Sequence, residues 1–509
     1  MTNSRSTRTL QYKPWLMTTT MRNPERLIGF LQVLKNYDGM TLTNAMCTEV
    51  EGNLIKNGLY RPMKVSVDVK SKWALGEELT STEVSVILED NPQNHKEAGF
   101  DKGWPSRFDT HFKIAKLLGF VFYQVGEPVR FSELGNMYVD ETHPENEQLC
   151  FLNALVNYHR KNPYQRVLNR NRPLVLLLEV LQMLKDKDGE DSPGIARHEL
   201  PLLLVWPDEK ASALFDEIQN LRTRRGFKVS DEEIFSICER LNGGWHNDIK
   251  MKTIVSEEPD EILRKFRLTG LFSLRGEGRF LSINKDSEDL VSIILNKHTK
   301  VFDFDSEREY FDFVSTLDKE LLQSSSDSIP ESKPADVNLL DQWIEHFGED
   351  LIREEMRVLV SNRKASQDPI LRLVQAPLRL EFLTSMLLRI VYEDSIVVPH
   401  YRRDDTGLPI SHAPGNYPDI EIYHTRALGS SLLELYEVTL INGTAQVTKE
   451  MVPITRHLES KILEGNTARV VFVAPTIHTD TSRYVDYLLH ASRLEIVPKT
   501  VEELADMTA

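Results

Sequence analysis

Residues 415–422, GNYPDIEI, and residues 432–439, LLELYEVT, decide how the carboxy-terminal part of this chain is built. Both are rich in β-branched, aromatic and alternating apolar residues, the mark of strands. Asp419 stands near the start of the first and Glu437 within the second, 18 residues on. That spacing suits a hairpin that sets the two carboxylates side by side. Upstream, PLRLEFLTSMLLRI at 377–390 has proline in its first turn and apolar residues at helical spacing, with Glu381 in its first half. A short strand follows at 396–398, then a loop ending SHAPGNY at 411–417. Downstream, PITRHLESKIL at 453–463 reads as a helix and RVVFVA at 469–474 as a buried strand. Helix, three strands, helix, strand predicts an α/β unit on a mixed central sheet.

Working outward, 509 residues are too many for one ordinary domain. Hydrophobic residues at 40% and charged residues at 27% are the mix of a globular protein. Sixty-one basic side chains against 77 acidic ones give a formal −16, which excludes a uniformly basic, histone-like binder. A local basic face remains compatible with that total. Cys47, Cys150 and Cys238 are scattered, so neither a zinc knuckle nor a disulfide framework is expected, and a reducing cytoplasm fits. The longest apolar stretch, 173–184, is interrupted by Glu179 and Gln182 and reads as a buried helix rather than a membrane span. No apolar segment of a secretory signal follows the basic amino terminus.

Residues 323–336, QSSSDSIPESKPAD, read as an exposed linker, preceded by an acidic, amphipathic connecting segment carrying Phe302, Phe304, Tyr310, Phe311 and Phe313. Before it, one pattern occurs twice. Residues 107–134 predict a helix stopped at Gly119, then two short strands about the turn Gly126-Glu127-Pro128. Residues 261–284, EILRKFRLTGLFSLRGEGRFLSIN, predict a basic helix stopped at Gly270 and a hairpin turning at Gly276-Glu277-Gly278. Helix followed by a two-stranded wing is the outline of a winged helix, although two unrelated hairpins would look the same. Arginine-rich groups accompany them: Arg5, Arg8, Lys13, Arg22 and Arg26; His159, Arg160, Lys161, Arg166, Arg170 and Arg172; Arg222, Arg224, Arg225 and Lys228; Arg264, Lys265, Arg267, Arg275 and Arg279. One such run is ordinarily a solvated face, but four in an acidic chain point to phosphate contacts, for which arginine is well shaped. The expected division is winged-helix-like subdomains at 1–165 and 166–300, a linker region at 301–340 and an α/β domain at 341–509.

Two neighbouring carboxylates and a main-chain carbonyl suit Mg²⁺, a hard cation that keeps several waters. Two acids at strand spacing also fit a solvated sheet, and spacing alone leaves both readings open. Pro418-Asp419 followed by Glu437-Val438-Thr439 resembles the PD-(D/E)xK nucleases. More specifically, His412 to Asp419, Glu437 to Thr439, Gly443, Gln446, Glu450, Pro453, Thr455, Arg456 and His457 together resemble the AlwI family of type IIS restriction and nicking endonucleases. Glu381-Phe382-Leu383-Thr384 matches a further element of that family. The likeness covers about a hundred residues and extends more weakly to 266–272, 119–122 and 22–24.

The resemblance implies a Mg²⁺-dependent endonuclease that binds a short asymmetric site on double-stranded DNA and cuts a few base pairs outside it. It implies Glu381, Asp419, Glu437 and the Val438 carbonyl as metal ligands, with Glu450 as a further acid. Many superfamily members have lysine two residues after the second carboxylate, where Thr439 stands here. Gln446 and Lys449 lie close enough in sequence to stand in. Arg456 and His457 suit phosphate binding or proton transfer, or simply contacts to nearby acids. His412 suits the DNA backbone or a loop hydrogen bond. One active site per chain cuts one strand, so double-strand cleavage calls for a homodimer through the cleavage domains or a second nuclease subunit. The reading from another class is a winged-helix DNA-binding regulator with no catalytic activity, kept open by Thr439. A nuclease with no sequence preference is a third.

Overall fold

The structure is a computed structural model that describes all residues except 1–9, 18–20, 22–23, 141–142, 144, 166, 246–247, 329–336, 362–364, 426–430 and 509. The chain opens with helices α1 (Glu25–Lys35), α2 (Asn44–Lys56), α3 (Val67–Ala74), α4 (Ser81–Asp90) and α5 (Trp104–Leu117). Side-chain caps start three of them: Thr43, Ser66 and Thr80 each accept a backbone N–H of the first turn. Both helix–hairpin units foreseen from the sequence are present. The first is α5 with strands β1 (Val121–Phe122) and β2 (Arg130–Phe131), antiparallel, with Val121 opposite Phe131. Helices α6 (Asn146–Asn157) and α7 (Pro173–Asp188) follow, α7 being the apolar run as a buried helix.

The second unit is helix α8 (Glu258–Arg267) with strands β4 (Phe272–Arg275) and β5 (Phe280–Ile283), joined by strand β3 (Ile195–Ala196) in the order β3-β5-β4. Gly119 and Gly270 adopt φ of +76° and +78° just past their helices, the left-handed stop that glycine enters most readily. In α8 the acids Glu258, Asp260 and Glu261 occupy the first turn and Arg264, Lys265 and Arg267 the last. That distribution complements the helix dipole without any ligand.

The linker reading is corrected over its first part. Residues 323–328 complete helix α9 (Lys319–Ser328), which Asp318 caps by accepting the Leu321 N–H at 3.0 Å and which Leu321 anchors in the core. The rest, 329–336, lies outside the described residues. The aromatic segment before it is packed, with Phe302, Phe304 and Phe313 around His159, their ring centroids 5.9, 5.2 and 5.3 Å from the imidazole.

The carboxy-terminal part contains helix α10 (Ala376–Val391), strand β6 (Ile396–Pro399), the small hairpin β7 (Arg402–Arg403) and β8 (Pro409–Ser411), and strands β9 (Ile420–Thr425) and β10 (Ser431–Val438). Helix α11 (Met451–Leu463), strand β11 (Thr467–Ala474), helix α12 (Thr479–Ser492) and strand β12 (Ile496–Thr500) complete it. The sheet is mixed, ordered β12-β11-β10-β9-β6 among the described residues. Strand β9 runs antiparallel to both its neighbours, β6 and β10, whereas β10, β11 and β12 run parallel. One face packs Ile420, Ile422, Tyr436 and Val438 into an apolar cluster shared with α10. The other packs Leu433, Leu435, Val470 and Phe472 under α11 and α12. The first cluster runs from Trp15 to Ala505, so the two halves of the chain share it.

His159 is held neutral: burial, then the charge of Arg172, pulls its pKa down to about 3, while its Nδ1 faces the Asn157 carbonyl at 2.8 Å. Burial also lowers His95, His198 and His298. Such groups bind protons more readily unfolded than folded, so the stability they confer is complete above the free imidazole pKa and is lost as pH falls below it. His159 alone is expected to cost about 2 kcal/mol by about pH 5. Urea midpoints should fall between neutrality and that pH, and less steeply in His159→Gln. Equal slopes for the two proteins would contradict the assignment.

Candidate active site

Strands β9 and β10 pair antiparallel with Tyr436 opposite Ile420, so Glu437 and Asp419, the next residues along, face each other at the end of the ladder. The Val438 N–H donates to Asp419 Oδ2 at 2.7 Å, and the His400 N–H to the Asp419 carbonyl at 2.9 Å. Thr439 continues β10 by donating its N–H to the Val473 carbonyl at 2.9 Å. Pro418 can precede the strand because it lies outside the ladder.

Three further acidic side chains converge on Asp419. Burial raises the Asp419 pKa well above the usual carboxylate value, and the charges of Glu381, Glu437 and Glu450 add to that rise. Glu437 is raised by burial, opposed by the hydrogen bond and charge of His457. Glu450, also raised by burial, accepts the Thr439 hydroxyl at 3.0 Å. Glu381 on α10 is buried; one of its oxygens bonds His412 Nδ1, and the other, Oε2, is buried with no hydrogen-bond partner. The four acids singled out from the sequence therefore meet at one corner of the sheet.

Two imidazoles complete it. His457 Nδ1 lies 2.7 Å from Glu437 and its Nε2 3.2 Å from the Gly415 carbonyl. Burial alone would depress His457, but the hydrogen bond and charge of Glu437 override it and raise the pKa. An imidazole between two acceptors gains from carrying a proton on each nitrogen, in line with that rise. Arg456 is exposed and donates to the same carbonyl at 2.9 Å.

The donor set is hard oxygen, the acids repel one another, and Glu381 Oε2 lacks a partner. Each of these fits a divalent cation. Among the described residues, however, no three acidic, imidazole or thiol side chains already close on a single coordination point. Instead, His412, Thr439 and His457 engage oxygens of Glu381, Glu450 and Glu437 respectively.

Gln446 is corrected. It is fully buried, donating to the Ile441 and Thr476 carbonyls at 3.0 and 2.6 Å and accepting the His478 N–H and Thr481 hydroxyl at 3.0 and 2.9 Å. With donors and acceptor engaged by the fold, it is a staple of the loop before α11. Lys449 is exposed and lowers the pKa of Glu450. That loop also meets the amino-terminal half backbone to backbone. A Cβ on Gly443 would come within 2.2 Å of the Leu75 carbonyl, and one on Gly76 within 2.5 Å of the Asn442 carbonyl.

The basic residues divide. Arg5, Arg8 and Arg22 lie outside the described residues. Lys13, Arg26, Arg224, Arg225 and Arg279 are exposed. Lys265 and Arg267, in contrast, are 1% and 3% exposed. Lys265 pairs with Glu261 at 3.2 Å, and Arg267 reaches Asp404 at 3.4 Å and the Pro409 carbonyl at 3.0 Å. Neither can reach a nucleic acid. Arg222 is spent on buried Glu199 at 2.7 Å. Arg264 donates to the Arg372 carbonyl at 3.0 Å, and Arg275 bonds Asp405. The second helix–hairpin unit therefore presents much of its positive charge to the carboxy-terminal half. A charge run read along the sequence is blind to acids 130 residues away that neutralise it.

One group was missed. Glu421, two residues beyond Asp419 on the same face of β9, lies 3.0 Å from Lys461 and 3.5 Å from His400. Burial would raise its pKa, but hydrogen bonds from His400 and Tyr423, with Lys461 nearby, bring it down to about 2. The available signal was the four-residue step from His457 to Lys461 on one helix, with the two-residue step from Asp419 to Glu421 on one strand.

The sequence profile of the AlwI restriction endonuclease family matches residues 116–346 and 341–507. Among solved structures, the chain is similar to the small subunit of the heterodimeric restriction endonuclease R.BspD6I, at 22% identity over 30% of this chain and 70% of that one, TM-score 0.23. It is similar to the BpuJ1 endonuclease binding domain in complex with pyrene- and phenanthrene-modified DNA, at 13% identity over 63% and 97%, TM-score 0.33. It is also similar to restriction endonuclease FokI bound to DNA, at 13% identity over 98% and 95%, TM-score 0.21. None of the three superposes well along its length. No curated protein matches.

Replacing Arg267 with Met is expected to cost about 3 kcal/mol or more, because it strands the buried Asp404 carboxylate without its cation. Chemical denaturation should report the loss. An unchanged midpoint would mean that this pair does not hold the halves together.

Proposed function

Because the chain belongs to the AlwI restriction endonuclease family, we propose that it is a type IIS endonuclease that binds a short asymmetric site on duplex DNA and hydrolyses phosphodiesters a few base pairs outside it. The observation that carries the reading is the convergence of Glu381, Glu437 and Glu450 on Asp419 at the end of the β9–β10 ladder, where burial and their charges raise the Asp419 pKa. Strongly perturbed acids gathered at one place mark functional sites more often than structural ones.

Glu381, Asp419, Glu437 and the Val438 carbonyl would hold Mg²⁺, with Glu450 as the further acid. That ion would stabilise charge on the phosphate and make a bound water more acidic. His457, whose pKa Glu437 raises, would offer the positive charge that Thr439 cannot. His412 orients Glu381 through its Nδ1. Water attacks phosphorus, the bond to the 3′ oxygen breaks, and the protein's part is to position and neutralise. The exposed Arg224, Arg225 and Arg279 would contact phosphates, with helix–wing units as the recognition scaffold. Each chain carries one such site, so the chain alone would nick and two nuclease subunits together would cut both strands.

Supercoiled plasmid of known sequence is expected to yield discrete nicked or linear products with Mg²⁺ and none with EDTA. Asp419→Ala and Glu437→Ala should each lower hydrolysis by roughly a thousandfold or more while a gel shift of the mapped fragment survives. A smear would favour a nuclease without sequence preference, and a shift without breakage the regulator. Full cutting by Asp419→Ala would refute the catalytic assignment. Arg224→Ala, Arg225→Ala and Arg279→Ala should weaken binding and each reduce the salt slope by about one unit. An unchanged slope would remove that residue from the DNA face.

A further inference from the structure

Gln148, on α6 in the amino-terminal half, is 1% exposed and stands where three parts of the chain meet. Its Nε2 lies 3.5 Å from the Thr269 carbonyl, at the turn ending α8. Its Oε1 accepts the Ser411 hydroxyl at 3.1 Å and Arg402 Nη1 at 3.4 Å, both from the β7–β8 hairpin of the carboxy-terminal half. The turn is shaped to admit this amide, since a Cβ on Gly270 would come within 2.5 Å of Gln148 Nε2. The same turn is tied back to the hairpin: Asn284 donates to the Gly270 carbonyl at 2.9 Å and accepts the Asp405 N–H at 3.1 Å.

Ser411 immediately precedes His412, and His412 bonds Glu381. A hydrogen-bond path therefore leads from the turn of the second helix–hairpin unit, through one buried amide, to the strand end that carries His412. The neighbouring Glu147 accepts from Gln375 at 3.3 Å, and the charge of His412 opposes the rise that burial gives its pKa. Because an amide donates and accepts at once, Gln148 can serve the Thr269 carbonyl with its Nε2 and the Arg402 and Ser411 donors with its Oε1. An apolar residue would fill the space without the path, so an amide here carries directional information at the cost of desolvation.

We propose that Gln148 is a positioning residue that couples the DNA-recognition half to the placement of His412 and Glu381. The proposal rests on the nuclease reading above. It assigns Gln148 no contact with DNA and no part in the chemistry, only the register of the strand end at Ser411.

The test uses the full-length chain with Gln148→Met, Ser411→Ala and the double variant. Single-turnover cleavage of a mapped plasmid fragment with Mg²⁺ is compared with gel-shift affinity for that fragment in EDTA. Each single variant is expected to cut roughly tenfold more slowly with affinity within about twofold, and the double variant no more slowly than the slower single. Cutting at the wild-type rate, rate losses that multiply, or affinity falling in step with rate would each overturn the coupling. If Gln148→Met no longer melts cooperatively, Ser411→Ala decides alone, and its cutting at the wild-type rate overturns the proposal. A wild-type chain that cuts no DNA would instead sink the nuclease reading, which Asp419→Ala tests separately.

Discussion

Four carboxylic acids in one partly buried corner cannot all be ionised without a compensating cation. That repulsion is the constraint around which the carboxy-terminal half is arranged. Strand pairing fixes Asp419 opposite Glu437, α10 brings Glu381 from the other side, and the loop before α11 adds Glu450. Each acid except Asp419 leans on a side-chain donor, two of them imidazoles, and Asp419 leans on a backbone N–H. Those bonds hold the acids at close quarters and still leave Glu381 Oε2 without a partner, which keeps the corner receptive to positive charge.

Much of this half was legible because its signals are local. Alternation placed β9 and β10, Pro377 placed the start of α10, and apolar spacing placed α11. The role of Gln446 was not legible, since a glutamine bonded to four backbone and hydroxyl groups looks in sequence like one aimed at substrate. The β7–β8 hairpin was read as loop because β7 has two residues and β8 three, too short for periodicity to register. Strand β12 and helix α12, beyond the last quoted motif, carry no chemistry to draw attention to them.

The amino-terminal half teaches the opposite lesson. Both helix–hairpin units were foreseen, and their stops at Gly119 and Gly270 occur where the sequence placed them. The purpose of their charge was not. Arg267 and Arg275 meet Asp404 and Asp405, a pair of acids in a turn more than a hundred residues away. Local charge counting sums what is near in sequence, whereas burial and pairing are set by what is near in space. Lys265 shows the limit most clearly, for its partner is only four residues back on its own helix and it still lies inside the protein.

The apolar cluster that runs from Trp15 to Ala505 has a practical corollary. Engineers who fuse cutting modules to foreign targeting proteins rely on a seam that can be severed cleanly. Here a cut near residue 340 would unroof shared leucines and phenylalanines and would part the glycine-to-glycine contact between the α3 tip and the loop before α11. A portable version would need its newly bared surface redesigned before it could travel.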